Sequence, residues 1–432
     1  MYSIVNLALA GLLVLVPIIV IVLRLRRGQG VVIDHILVFS AAFLLYFSFP
    51  MALGASQIRI EDAALLVWYS FFRENLGPTV FTEFAAFSLG LYVAFVGAAV
   101  LGERGERAPR RLSLSPDALV PLWIPVVAVG VAYLWKVHGS MFSGYSAYDT
   151  FYAAAGTLSA VTLVLVAFAL LHAAYSPVAM RASMTARMLR LVAALFCASL
   201  LSLGGRLYAA ATVVAVLVFV SCFRAPLPTK RAVLILGGTF VGAGAVGLLR
   251  LGHGVSPVEI AANLAAEPLF TSFSIIHFVG HYPMAVLHAP VFLAGDFLNL
   301  VPSALFPGKT AYLPNLSHAG YVVYAPVGAL HMALSFLVNF GVVGTLVVIA
   351  ALGFALSRLR DVRTPLAAAI YSMLSGSLAF TFFRDPFSVS IVKNMVEFSV
   401  LVPAAIVAAG HVVSTVVNAA ALGGHHRSEV RA

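Results

Sequence analysis

The chain has 432 residues, of which 62% are hydrophobic and only 10% charged, and its mean hydropathy is +1.02. Soluble globular domains are roughly 45–50% apolar and about 25% charged, so this composition excludes a soluble enzyme, a disordered chain and a coiled coil. With only two cysteines, a disulfide scaffold is excluded as well. A formal charge of +10 is also common in nucleic-acid-binding proteins, but the positions of the basic residues give another explanation.

Apolar runs of about 20 residues, the length that crosses ~30 Å of hydrocarbon, recur along the whole chain. They predict eleven transmembrane helices, at roughly 2–23, 31–54, 81–102, 118–135, 152–174, 188–203, 207–223, 232–249, 331–357, 364–382 and 392–417. Runs this long and apolar, without alternation, are typical of helices and not of barrel strands. No repeat of fixed period and no low-complexity linker divides the chain. The sequence therefore predicts an all-α polytopic membrane protein with a single integral membrane domain over 1–432.

Basic clusters lie at alternate connections between these runs and hold 18 of the 26 lysines and arginines. They are Arg24, Arg26 and Arg27; Arg104, Arg107, Arg110 and Arg111; Arg181, Arg187 and Arg190; Arg224, Lys230 and Arg231; Arg358, Arg360 and Arg363; and Arg427 with Arg431. The positive-inside rule assigns this side to the cytoplasm. It places the N-terminus outside and the C-terminus in the cytoplasm, and it explains the basic balance without a nucleic-acid partner.

Three arginines lie at the other ends of the predicted spans, on the side away from the basic clusters. Arg206 opens one span, Arg250 closes another, and Arg384 follows a third. One interpretation is that they extend to the interface or pair with nearby carboxylates. The other is ligand binding, because a guanidinium group holds diphosphate oxygens in a bidentate fork. Three such residues, in a chain that keeps most of its cations on the other side, favour the second interpretation.

The longest non-spanning stretch is 251–330, predicted to be a large loop on the outer side that begins with an amphipathic helix over about 256–281. Ser256 and Glu259 form a capping box at its start. Its polar residues recur on one side, at Glu259, Asn263, Glu267, Thr271, Ser274, His277 and His281. We expect this helix to lie on the outer surface. It could instead dip into the membrane with its polar side facing a cavity, or pair with 284–306 in a re-entrant hairpin, which would give twelve or thirteen helices.

The rest of this loop is rich in proline, tyrosine and histidine. It contains Lys309, His318, Tyr321 and Tyr324, and His331 opens the next span. Aromatic rings and polar side chains of this kind suit sugar binding, although they suit packing equally well. Lys309 is a further outward cation.

Nucleotide and metal motifs are missing from the sequence. The letters of GxGxxG over 242–247 lie inside a predicted span, where glycines are typical of close helix packing. No HExxH or CxxC pattern is present. The sequence therefore predicts neither a cofactor nor a tightly held metal.

The order of several short motifs resembles the bacterial oligosaccharide repeat-unit polymerases, the Wzy or O-antigen polymerase family. The motifs are Gly204-Gly205-Arg206 between two spans, Pro302 and Pro307-Gly308-Lys309 in the long outer loop, Ser335 and Asn339-Phe340-Gly341 early in a span, and Arg384 before the last span. The resemblance covers roughly 195–400, and the N-terminal half matches only as generic spans.

This resemblance implies a metal-independent glycosyltransferase of the bacterial inner membrane with a GT-C-like helical fold, with the N-terminus and the 251–330 loop in the periplasm and the C-terminus in the cytoplasm. It would join undecaprenyl-diphosphate-linked repeat units on the periplasmic face, in contact with membrane lipids and with a chain-length regulator and a flippase as further partners. Arg206, Arg250, Arg384 and Lys309 would stabilise the diphosphate leaving group, with Tyr321 and Tyr324 as candidates for glycan binding. If the reaction inverts the anomeric centre, it needs a general base, for which the candidates are Glu267 first and then His281, His318 and His331.

Two other functions remain open. An O-antigen ligase-like transferase would use the same donor on the same face with a different acceptor. A lipid-linked sugar transporter or flippase is a different class, in which ionisable residues lie near the membrane midplane and related halves often repeat. The predicted spans have mostly uncharged interiors and no repeated halves, which favours the polymerase.

Overall fold

The computed structural model describes residues 3–26, 30–56, 63–104, 114–141, 148–176, 183–203, 205–250, 256–301, 305–313, 321, 323–325 and 329–429. This part of the chain is helical and has no β-strand, only an isolated bridge between Val31 and Leu227. The helices are α1 (Ile4–Leu25), α2 (His35–Ser56), α3 (Ala63–Asn75), α4 (Pro78–Gly102), α5 (Pro116–Val137), α6 (Tyr148–Tyr175), α7 (Met184–Ser202), α8 (Arg206–Phe223), α9 (Thr229–Arg250), α10 (Pro257–His281), α11 (Leu293–Phe297), α12 (Met332–Val362), α13 (Pro365–Ser377), α14 (Thr381–Arg384) and α15 (Ser388–Val416).

Ten of the described helices are long and apolar enough to cross a membrane, and each overlaps a predicted span. The all-α, multi-pass membrane architecture is therefore confirmed. The exception is the span predicted over 364–382. Its helix α13 has only 13 residues, about 20 Å at 1.5 Å per residue, and the backbone leaves helical geometry at Phe380 (φ −143°) before α14 begins. Hydropathy detects the apolar side chains of this segment but not the break in its backbone.

Helix α10 has nearly the predicted bounds and the predicted cap. Ser256 Oγ accepts from the backbone N–H of Glu259 at 3.2 Å, while Glu259 Oε2 accepts from that of Ser256 at 3.0 Å. However, every residue from 267 to 279 is buried, so the polar residues from Glu267 to His277 lie inside the protein, whereas Glu259 and Asn263 are partly exposed and His281 is exposed. The re-entrant hairpin is wrong for the described part of 284–306, which contains only α11 and one 3-10 turn, because Pro283 and Pro290 interrupt helical hydrogen bonding.

An ion network closes one end of the bundle. Arg24 lies 3.0 Å from Asp34 and 2.7 Å from Glu103, and Arg360 contacts the same two carboxylates at 3.3 and 3.4 Å. The four residues lie at the ends of α1, α2, α4 and α12. Residues of the first and fifth predicted basic clusters thus meet at one end of the helices, as their alternation along the chain predicts.

Helix α12 has a sharp kink at Gly341, which adopts φ +68°. A Cβ atom there would lie 2.8 Å from the carbonyl oxygen of Ala285. The backbone N–H groups of Val342 and Val343 donate to Ala285 and Val286 at 2.9 and 3.0 Å. Glycine is required here by both the left-handed backbone and this close approach, and the kink anchors the segment that follows α10.

Candidate functional site

The end of the bundle opposite the ion network carries a second charged cluster, built around Glu267 of α10. Arg206, the first residue of α8, donates from Nη2 to Glu267 Oε2 at 2.7 Å. Arg384, the last residue of α14, donates from Nε to Glu267 Oε1 at 2.7 Å. Two of the three arginines that the sequence singled out, and the carboxylate it ranked first as general base, are therefore brought together.

We call Arg206, Arg384 and the Glu267 carboxylate between them the arginine clamp. Two flanking side chains complete it. Asn263 Oδ1 accepts from Arg206 Nη1 at 3.0 Å, and Asp385 Oδ1 accepts from Arg384 Nη1 at 3.1 Å. Asn263 and Glu267 are four residues apart on α10, which places them one above the other on the same side of the helix. Helix α10 therefore presents an amide and a carboxylate together to the start of α8.

The clamp is largely shielded from solvent, and its charges are balanced. The side chains of Arg206 and Arg384 are 17% and 21% exposed, and that of Glu267 is 9% exposed. Removing one partner of a buried ion pair costs roughly 3–5 kcal/mol because the other charge stays unpaired. Each guanidinium has five N–H hydrogens and uses two in the bonds above. Both arginines therefore retain donors for an anionic ligand.

A cavity of about 290 Å³ adjoins the clamp. Most of its wall is apolar, and its polar or charged lining residues include Tyr46, Arg206, Asn263 and Glu267. The other lining residues come from α2, α8, α9, α10 and the break before α14: Leu45, Phe49, Leu207, Ala210, Thr239, Phe240, Ala243, Ala261, Leu264, Ala265, Pro268 and Phe380. An apolar chamber with polar groups gathered beside it suits an amphiphilic ligand.

The candidate histidines lie apart from this clamp. His281 is on the same helix as Glu267 but about 21 Å further along its axis at 1.5 Å per residue. His331 is fully buried and caps α12, where its Nδ1 accepts from the backbone N–H of Ala333 at 3.2 Å. His318 lies outside the described residues. Of the four predicted acid–base candidates, the structure places only Glu267 in the arginine clamp.

Lys309 has hydrogen-bond partners of its own in the segment between α11 and α12. Its Nζ donates to the carbonyl oxygen of Val301 at 2.6 Å and approaches that of Asn299 at 3.4 Å. Burial is the main cause that lowers the pKa of this ammonium group. Lys309 thus links two parts of the segment between α11 and α12, and it does not contact the arginine clamp. Arg250 ends α9, and its side chain lies outside the described residues.

The two candidate tyrosines pack on the second half of α10. Tyr321 lies between Phe278 and Tyr282, with ring centroids 5.4 and 5.2 Å away. Tyr324 meets the edge of His277 at 4.9 Å and remains 56% exposed. Tyr321 therefore contributes mainly to packing, whereas Tyr324 keeps an open surface.

Asp296 is a buried acid that the sequence analysis did not select. It is 4% exposed and lies in α11, outside the membrane-length helices. Burial raises its pKa to about 7, and a side-chain hydrogen bond with Asn339 opposes that shift. A lone aspartate between apolar residues in a loop gives no sequence signal for such burial.

Among the described residues, no three histidine, cysteine, aspartate or glutamate side chains are grouped so that they could hold a metal ion. Comparison of the chain with protein-family models, with curated proteins and with solved structures finds no match.

Proposed function

We propose that this protein is a polysaccharide polymerase that joins undecaprenyl-diphosphate-linked oligosaccharide repeat units, as the resemblance to the Wzy family implies. The observation that carries the proposal is the arginine clamp: two guanidinium groups from different helices share one carboxylate beside an apolar cavity. A donor with a diphosphate group and an isoprenoid chain needs both of these features. The protein would act in the bacterial inner membrane with its clamp end in the periplasm.

In the proposed reaction, a hydroxyl group of the acceptor repeat unit attacks the anomeric carbon of the donor glycan. A new C–O bond forms as the bond from the anomeric carbon to the diphosphate oxygen breaks. The electron pair of that bond leaves with the lipid diphosphate, where Arg206 and Arg384 stabilise the developing charge. The hydroxyl proton passes to a general base, for which Glu267 is the candidate within the clamp.

The clamp links diphosphate binding by the two arginines to proton acceptance by Glu267. Both oxygens of Glu267 accept hydrogen bonds from arginine, so the carboxylate has to give up at least one of them to take a proton from a sugar hydroxyl. A bound diphosphate competes for the same guanidinium groups. Binding of the donor diphosphate would therefore free Glu267 to act as the base, and without a donor the carboxylate would stay bonded to the arginines.

The first experiment is a reaction with defined substrate. Purified protein is incubated with undecaprenyl-diphosphate-linked repeat units from its host, without added metal or nucleotide, and the glycans are separated on a gel. A ladder of multiples is the expected result. An unchanged single band with a verified substrate would contradict polymerase activity. Transfer after addition of a lipid acceptor would then indicate a ligase, and movement of the substrate across proteoliposomes a flippase.

A further inference from the structure

Two buried polar atoms at the cavity have no hydrogen-bond partner in the described structure. They are the hydroxyl oxygen of Tyr46 and Nδ2 of Asn263. Tyr46 is fully buried in α2, and both residues line the cavity together with Arg206 and Glu267. A buried polar group without a partner costs free energy. Two at one cavity indicate that a bound molecule supplies the partners.

The surroundings hold both donors in place. The Tyr46 ring stacks parallel to that of Phe383, with centroids 5.7 Å apart and an interplanar angle of 5°. Asn263 is oriented by Arg206, which donates to its Oδ1 at 3.0 Å, so its Nδ2 hydrogens remain for another acceptor. A hydroxyl and an amide N–H beside an arginine form a donor set that suits the oxygens of a phosphate.

The apolar part of the cavity fits the start of an isoprenoid chain. A cavity of roughly 150 Å³ accommodates one benzene molecule, so the 290 Å³ found here has room for about two groups of five or six carbons. Leu45, Phe49 and Phe240 provide an apolar wall from two helices.

We propose that Tyr46 and Asn263 bind the phosphate group nearest the isoprenoid chain of the carrier lipid, and that the first isoprene units occupy the cavity. This inference rests on the proposed function for the identity of the carrier. It adds two recognition residues and implies that the carrier binds without any glycan attached. The released carrier would therefore compete with the donor for the same site.

The test measures binding of undecaprenyl phosphate, which has no sugar, to the purified full-length protein. Tyr46→Phe removes one hydrogen bond to a charged group, so we expect binding about 10- to 100-fold weaker than wild type. The ligand-free variant should unfold at the same temperature or higher, because it loses an unpartnered hydroxyl. Tyr175→Phe is the matched control, since its hydroxyl is also buried without a partner but lies in α6, outside the cavity lining.

Inorganic diphosphate and uncharged undecaprenol distinguish the two halves of the ligand. The lipid phosphate should bind more tightly than either, and only the phosphate-containing probes should respond to Tyr46→Phe. Unchanged affinity of Tyr46→Phe for undecaprenyl phosphate, or an equal loss in Tyr175→Phe, would overturn the inference. Binding that depends on Tyr46 in a protein that forms no polymer would leave the inference intact and overturn the proposed polymerase function.

Discussion

The Arg206 guanidinium lies against Gly247 of α9, in space that a larger side chain at residue 247 would fill. A Cβ atom at residue 247 would lie 2.6 Å from Arg206 Nη1 and 2.9 Å from Asn263 Nδ2. The glycines over 242–247 were predicted to serve helix packing; this holds for Gly244, which approaches Ile260 and Leu264 of α10, but not for Gly242, which has no atom within 4 Å of its Cβ position. Gly247 additionally provides the space in which the side chains of Arg206 and Asn263 meet.

Gly247→Ala is therefore expected to impair activity without unfolding the protein. The added methyl group meets the ends of two side chains and not backbone, so Arg206 shifts away from Asn263. Loss of a hydrogen bond that involves a charged group predicts about 10- to 100-fold lower polymer formation. The measurement is the rate of polymer formation together with the unfolding temperature.

Gly242→Ala provides the matched control for this substitution. No atom lies within 4 Å of the Cβ position at Gly242, and alanine is favoured over glycine inside a helix by roughly 0.5–1 kcal/mol. The control should keep wild-type activity and equal or higher stability. Equal activities of the two variants would contradict a role for the space at residue 247.

Glu267→Gln should change binding and turnover in opposite directions. The substitution removes the negative charge between two arginines, so their charges attract a diphosphate more strongly, while the amide cannot act as a base. We expect tighter binding of undecaprenyl diphosphate and a loss of turnover. Titration of the lipid and single-turnover rates measure the two effects separately. Weaker lipid binding by this variant would argue against competition between Glu267 and the diphosphate.

Lysine cannot replace either clamp arginine. Arg384 uses Nε for Glu267 and Nη1 for Asp385, whereas the ammonium group of lysine is a single point charge. Arg206→Lys and Arg384→Lys should each reduce polymer formation by at least about tenfold, and the alanine variants by more. Polymer length at matched expression is the readout. Near-normal polymer from both alanine variants would refute the diphosphate clamp.

Asp296 predicts a pH dependence of stability. Its pKa is raised from 3.8 to about 7, so between about pH 4 and 7 the folded protein binds a proton that the unfolded chain has released. The free energy of unfolding therefore falls as pH rises through this window. Asp296→Asn should remove this pH dependence of the free energy of unfolding, so the variant should become more stable relative to wild type as pH rises. Parallel stability curves for the two proteins across this window would contradict the assignment.

Hydropathy and charge were sufficient for most of the fold. Each of the ten membrane-length helices in the described chain has an apolar stretch long enough to be recognised without structural information. The segment 364–382 has the same composition but divides into α13 and α14, because the backbone turns at Phe380. Backbone direction has no counterpart in a hydropathy profile, so this break was not predictable.

The site was only partly accessible to sequence reasoning. Arg206 and Arg384 stood out because they are cations on the side with few positive charges, and Asn263 and Glu267 because they share one side of a helix. Their mutual contact joins three distant segments and leaves no periodic pattern. Tyr46 gave no signal at all, since a tyrosine within an apolar span is ordinary until its hydroxyl is found without a partner.

The ion network that closes the other end of the bundle constrains the order in which the protein is completed. Asp34 and Glu103 leave the ribosome early and have Arg24 as a nearby partner, but Arg360 is synthesised much later. Until α12 has entered the membrane, neither carboxylate can make its contact with Arg360. The contacts that tie α12 to the starts and ends of the N-terminal helices can therefore form only after α12 is inserted, and a chain truncated before α12 would lack them.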